Sequence, residues 1–352
     1  MFKRPILFLL FALTVSCTPV LERGAWEKDT YDALSALLAD KSCRGGYAVF
    51  DCDNTTVIHD VTHTMILYQI ENLRFASAPD HLFLDGLGDN VDFPLEGLGI
   101  SAREMGQSLA DEYFSLMNEM NDSLFHDFRA RFIAFIEAVD ESYDYGTLCL
   151  WEPSLAAGFN EEDLKSLGRE SLSYWLSQGR AWDEEWASPD GRYSFTVHKG
   201  LVLTPEMKNL YRSLSRSGIT PYVCSASPEW LVELFFSEFA SDLNVPAEHI
   251  FGLRFVNNTD GSWAYDETAI QPFKEGKVAC IDKNIAPMHC GAAPLLVAGD
   301  SNGDVAMLTA YPDMKIGLII DWGRTGEIGT LAAKADGRYF SQKFPKDSLH
   351  EP

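Results

Sequence analysis

Apolar residues recur along this chain at two spacings, and the alternation between them sets out the fold. Tyr31, Leu34, Leu37 and Leu38 line one face of a helix predicted over residues 26–41, which ends before Arg44-Gly45-Gly46. Tyr47-Ala48-Val49-Phe50 follows as a short continuous apolar run, the mark of a strand buried on both faces. Helical spacing returns over 203–217 and 228–240, on either side of a second such run at 221–224, with a proline opening the later helix. Further strands are predicted at 250–256, 294–298 and 315–320, and a short helix at 278–283. Strands alternating with helices build a parallel sheet, so the fold class is α/β. Residues 25–60 and 200–345 form that core, whereas 61–199 reads as a mainly helical insertion, amphipathic over 102–121, 124–139 and 161–176.

The polar residues at the strand exits carry the chemistry. In an open α/β sheet, ligands bind beyond the carboxyl ends of the strands. The first apolar run delivers Asp51 and Asp53 into the turn Asp-Cys-Asp-Asn-Thr, which ends at Thr55. Residues two apart on an extended segment point the same way, so both carboxylates can face one spot, where their repulsion calls for a cation. The second run ends in Ser225-Ala226-Ser227, a source of hydroxyls and turn amides. Lys277 stands at the start of the short helix, where anions are favoured, with Lys274 three residues earlier as a competitor for the same place. The run 294–298 ends in Gly299-Asp300-Ser301-Asn302-Gly303-Asp304, adding two more carboxylates among turn-permitting glycines.

Taken in order, Asp-x-Asp-x-Thr, Ser, Lys and Gly-Asp-x-x-x-Asp resemble the haloacid dehalogenase-like superfamily of aspartyl phosphatases, in particular its phosphoserine and phosphorylcholine phosphatase branches. The resemblance implies a Rossmann-like core with a helical cap inserted after the nucleophile strand. It implies Asp51 as nucleophile, Asp53 as general acid/base, and Ser225, Lys277 and Thr55 as phosphate ligands. Mg²⁺ would be held by Asp51, Asp300 and the backbone carbonyl of Asp53, with Asp304 in support. Two positions depart from the pattern: Gly303 stands where phosphoserine phosphatases carry Asn, and Ser225 is followed by Ala-Ser instead of Gly-Gly. Both weaken serine phosphate as the substrate more than phosphatase chemistry. A large cap favours a small phosphate ester over a polymer.

For the substrate's head group the sequence offers Asp60, which matches by position the residue that holds the amine in phosphoserine phosphatases, and which reads equally as an exposed carboxylate. Trp151, Tyr174, Trp175, Trp182 and Trp186 in the insertion are either a box for a quaternary ammonium or core. Arg74 and Arg103 are candidates for a substrate carboxylate. The leading expectation is a phosphomonoesterase for phosphocholine or phosphoserine. A broad-specificity envelope acid phosphatase and a non-catalytic ligand-binding surface lipoprotein are the rival readings.

Composition changes this picture only at its edges. With 28 basic and 52 acidic residues the net charge is −24, which argues against nucleic acid or an anionic membrane surface as partner. Lys3 and Arg4 precede an apolar run at 5–15, too short to span a bilayer and suited to a secretory leader over 1–17. Ser16-Cys17 resembles a lipoprotein processing site, so export to the bacterial cell envelope is expected, periplasmic or lipid-anchored through Cys17. The other cysteines, 43, 52, 149, 224, 280 and 290, permit disulfides, with Cys280 and Cys290 close enough for a local bridge. Cys52 and Cys224 read as small core residues, and His289 beside Cys290 as structural.

Overall fold

A computed structural model describes residues 21–76, 82–259, 261–334 and 336–344. The leader and Cys17 lie outside the described residues. After α1 (Lys28–Ala39) comes the catalytic-strand candidate β1 (Tyr47–Phe50), then the insertion: α2 (Val61–Asn72), α3 (Ala102–Asn118), α4 (Asp122–Ser142), α5 (Tyr145–Ser154), α6 (Glu161–Ser177) and the hairpin β2 (Trp182–Ala187) with β3 (Ser194–Lys199). The chain returns through α7 (Pro205–Ser217), β4 (Thr220–Pro228), α8 (Glu229–Leu234), β5 (Ile250–Leu253) and a small antiparallel ribbon, β6 (Phe255–Asn257) with β7 (Trp263–Tyr265). It closes with α9 (Glu275–Cys280), β8 (Leu296–Gly299), α10 (Val305–Thr309), β9 (Ile316–Ile320), α11 (Glu327–Ala332) and β10 (Tyr339–Gln342).

Six strands form one parallel sheet in the order β10-β9-β8-β1-β4-β5. All four residues of β1 are buried, and their alternation splits them between two cores: Ala48 and Phe50 pack on one face, Tyr47 and Val49 on the other. The chain builds outward from β1 through β4 and β5, then crosses to the opposite side at β8. The strand order therefore reverses beside β1, which is where a doubly wound sheet opens a crevice.

The helix starts of the insertion are fixed by side chains. Asp60 caps α2, Ser101 and Glu104 form a capping box on α3, and Asn121, Asp144 and Asn160 cap α4, α5 and α6. α2 itself is not visible as an amphipathic stripe because Val61, Thr62, Thr64, Met65, Ile66, Leu67, Gln69 and Ile70 are all buried, which leaves almost no polar face. Two predicted elements end early. Pro228, expected inside the helix over 228–240, closes β4 instead, and α8 gives way at Leu234 to a wider turn over Phe235–Phe239. The strand predicted over 250–256 breaks at Arg254, whose amide donates to Gln271 Oε1 and whose guanidinium pairs with Glu229, turning the chain out of the sheet. The helix expected at 278–283 starts earlier, at Glu275.

The tryptophans of the insertion are core. Trp151 and Trp175 are fully buried and donate from Nε1 to the carbonyls of Phe83 and Thr64. Trp175, Trp182 and Trp186 do enclose a cation, but it is the chain's own: Lys199 Nζ lies 5.7, 5.7 and 5.4 Å from their ring centroids. Lys199 is 4% exposed and also pairs with Glu71 at 2.6 Å and Glu184 at 2.8 Å, tying β3 to α2, α6 and β2. Truncation would strand Glu71 in a poorly hydrated place. Lys199→Ala is expected to cost about 3 kcal/mol, read as a lower urea midpoint, and Lys199→Arg to recover most of it. A midpoint unchanged in Lys199→Ala would show the hairpin to be held by its apolar contacts alone.

Candidate active site

β1 and β8 run side by side, Phe50 opposite Ala298, and Asp51 N continues the ladder by donating to Ala298 O at 3.0 Å. Asp51 and Asp300 thus leave adjacent strands together. Gly299 is required here: a Cβ on it would lie 2.5 Å from Asp304 Cβ, so Asp304 folds directly onto the strand end. Asp304 is fully buried, accepts from the amides of Asp300 and Ser301 at 3.0 and 3.1 Å, and meets Lys277 Nζ at 2.6 Å. Lys277, 2% exposed in the first turn of α9, also lies 2.8 Å from Asp51 Oδ1. Burial disfavours its charge, but the facing carboxylates of Asp304 and Asp51 outweigh that and raise its pKa well above the usual lysine value.

One ammonium does not balance three carboxylates. Asp51, Asp300 and Asp304 each place an oxygen within 4.8 Å of the others. Burial, and next the charge of Asp304, push the pKa of both Asp51 and Asp300 well up. Among the described residues Asp300 Oδ2 is buried with no aligned hydrogen bond and is paired with Arg324 at 3.0 Å. Three buried carboxylates facing two cationic side chains leave hard oxygen donors with excess negative charge, which fits a hard divalent cation.

Asp53 faces away from this cluster. Its turn folds back on itself, with Asn54 in the left-handed region at φ 53° and its amide bonded to His59 O, so that α2 begins above the strand end. Asp53 Oδ1 accepts from Val61 N at 2.8 Å, and Oδ2 from Ser227 Oγ at 2.7 Å and Ser225 Oγ at 3.2 Å. Burial, then the nearby Asp60, push its pKa up to about 7, although these hydrogen bonds oppose the shift. Two carboxylates one residue apart are therefore set in unlike surroundings, one beside an ammonium and one among hydroxyls. That separation of environments is how a site assigns different proton states to paired acids.

A cavity of about 830 Å³ joins these groups, lined by Asp51, Asp53, Ser227, Lys277, Asp300 and Arg324 at the sheet end, and by residues of α2, α4 and α5. The structure revises several sequence expectations. Thr55 is buried with its hydroxyl 3.4 Å from Asp300 Oδ1, and Ser225 sits behind Asp53. Neither lines the cavity, whereas Ser227 does. The carboxylate cluster comprises Asp51, Asp300 and Asp304, and the expected cation ligand from Asp53 is its backbone carbonyl, not its carboxylate. Lys277 and not Lys274 meets the carboxylates; Lys274 Nζ rests 4.9 Å from the ring centroid of Tyr145. Arg74 and Arg103 lie off the site, paired with Glu170 at 2.7 Å and Asp92 at 2.6 Å. Trp151, Tyr174, Trp175, Trp182 and Trp186 do not line the cavity either. Asp60 lines it while its Oδ1 caps α2 through the amides of Thr62 and His63. All six described cysteines are free, Cys280 buried and Cys290 exposed, so the local bridge is not formed. His289 shares hydrogen bonds with the Tyr222 hydroxyl and the carbonyl of Gly45 through its two ring nitrogens.

Arg324, Tyr145, Asp140 and Glu152 were not singled out from sequence. Only Arg324 carried a signal, since it follows β9 in a turn with Gly323 and Gly326. A Cβ at position 303 would lie 3.2 Å from Ser301 Oγ and in ordinary contact, at 3.5 Å, with the Tyr145 hydroxyl.

No family model matches the chain. It is 24% identical over 286 residues to phosphorylcholine phosphatase of Pseudomonas aeruginosa, covering 79% of this chain and 69% of that one. Among solved structures it is similar to a conserved protein of unknown function from Anaerococcus prevotii, with a TM-score of 0.78, 25% identity and coverage of 92% and 96% of the two chains. A phosphoserine phosphohydrolase-like protein from Francisella tularensis aligns over 87% of this chain and all of its own at 13% identity. The TM-score of that alignment is 0.40.

Two expectations follow from the charges. A hard divalent cation at 100 times its Kd should stabilise the wild type by about 2.7 kcal/mol, seen as a raised thermal midpoint, and Asp300→Asn should lose the response. An equal response in that variant would place the cation elsewhere. Glu152 has its pKa pushed from 4.5 to about 8, first by burial and then by Asp60. The native state therefore holds a proton that the unfolded chain has released, and stability falls as pH rises through that window. Glu152→Gln should flatten the fall, measured by urea midpoints at a series of pH values.

Proposed function

We propose that this haloacid dehalogenase-like phosphatase is a Mg²⁺-dependent phosphomonoesterase for a small ester with a cationic head, working through an aspartyl-phosphate. The observation that carries the reading is the pairing of Asp51 with Lys277, and of Asp53 with Ser225, Ser227 and Val61 N, at one cavity. Asp51 attacks phosphorus in line, forming an Oδ–P bond as the ester P–O bond breaks. Asp53, protonated near neutral pH, gives its proton to the departing alkoxide, then takes one from the water that hydrolyses the aspartyl-phosphate. Lys277 and Ser227 face the transferred group and offset its charge. Asp51 and Asp300, with the carbonyl of Asp53, would hold Mg²⁺, which supplies Lewis-acid charge neutralisation when bound, while Asp304 orders Asp300 and Lys277.

A cationic head is supported by the acidic wall contributed by the insertion, Asp60, Asp140 and Glu152, and by the substrate in the name of the Pseudomonas relative. The insertion acts in this reading as a cap that screens the reacting groups from water. Export to the cell envelope, by the leader over 1–17 with lipidation at Cys17, belongs to the same proposal.

Asp51→Asn is expected to abolish phosphate release while keeping the wild-type circular dichroism spectrum. Asp53→Asn should slow alkyl phosphates by about 10²-fold or more, and aryl phosphates, whose leaving groups need no proton, much less. Equal losses on both ester classes would remove the general-acid role from Asp53.

A further inference from the structure

We propose that the substrate's head is an ammonium carrying N–H donors, a primary amine on a short alkyl chain, received by Glu152 together with Asp60 and Asp140. This rests on the phosphatase reading above and narrows it, away from the quaternary ammonium in the relative's name.

Glu152, on α5, lines the cavity that holds Asp51 and Asp53. Among the described residues its carboxylate has no hydrogen bond and no ion pair. Its electrostatic neighbours are Asp60, Asp140, Glu137 and Asp53, all of its own sign. Asp60 spends Oδ1 on the start of α2, and Asp140 stands exposed near the end of α4, at the rim. The cations of the cavity are committed elsewhere: Lys277 to Asp51 and Asp304, Arg324 to Asp300, and Lys274 to the face of Tyr145. A partly buried acid in such company keeps its proton, and a cation arriving from outside would let it ionise. A primary ammonium offers it three N–H donors, making charge-assisted hydrogen bonds.

A quaternary ammonium has no such donors and is held by open aromatic faces. Tyr145 is the single aromatic among the lining residues, and the ammonium of Lys274 already sits on its ring. The tryptophan box that would suit a trimethylammonium group lies off the cavity and is filled by Lys199. Trimethylammonium in the head position would leave Glu152 and the second carboxylate oxygen of Asp60 desolvated without donors. Sites that hydrogen-bond a substrate N–H discriminate strongly against analogues lacking it.

The test is a methylation series on the purified protein with Mg²⁺: phosphoethanolamine, its N-methyl and N,N-dimethyl forms and phosphocholine, beside ethyl phosphate as the neutral ester. kcat/KM is expected to fall along the series, by roughly tenfold or more from first to last. Glu152→Gln should compress that ratio to within about threefold, and so should Asp60→Asn, which keeps an N-cap. The wild-type series stands as a test even if a variant fails to fold. Phosphocholine cleaved as well as phosphoethanolamine, with both above ethyl phosphate, would overturn the N–H inference alone. Cationic esters no better than ethyl phosphate would instead overturn the cationic-head reading, and release from none of them the phosphatase reading itself.

Discussion

The structure is organised around one buried ammonium. Lys277 stands between Asp51 and Asp304 at 2.8 and 2.6 Å, in a place where none of the three would keep its charge alone. The pairing joins three segments far apart in sequence: the exit of β1, the first turn of α9 and the loop after β8. Sheet order makes it possible. Because β8 lies directly beside β1, two acidic loops leave the sheet at neighbouring positions, and the short α9 brings the compensating charge from outside the sheet. Gly299 completes the arrangement by having no side chain where Asp304 packs.

From that centre the site divides by charge. The sheet end collects Lys277, Arg324 and the carboxylates facing them, which suits a phosphoryl group with a hard cation. The insertion end presents Asp60, Asp140 and Glu152, of which Glu152 has only acids as its electrostatic neighbours among the described residues. The cavity is thus amphoteric, and its two ends come from different parts of the fold, the arrangement on which the proposed zwitterionic substrate rests.

Much of this was legible in the sequence. Continuous apolar runs located β1, β4, β8 and β9; the polar residues at the exits of β1 and β8 gave Asp51, Asp53, Asp300 and Asp304, and the start of the short helix gave Lys277, all of which the structure gathers. Local pattern failed where contacts decide the outcome. Ser225 and Ser227 are equivalent as sequence, and which hydroxyl faces the cavity depends on how β4 twists past Asp53. The tryptophans read as either core or a cation box; they are core, and three of them surround Lys199 from β3, a partner no spacing rule could supply. α2 escaped because a helix buried all round has no stripe, and Glu152 because a single acid on a short helix looks the same whether it faces solvent or a cavity.

The hydrogen bonds of Asp53 join two bodies of the protein at the atom that would carry the proton. One oxygen is held by the first amide of α2, which belongs to the insertion, and the other by serines of β4, which belongs to the sheet, with Thr62 of α2 bonded to Ser227 as well. The acidity of Asp53 is thus a gauge of the seam between those bodies. Under the proposed mechanism, a tilt of α2 against β4 would change the hydrogen bonds on both oxygens of the proton donor, so distant changes in the insertion would register as displaced pH–rate profiles.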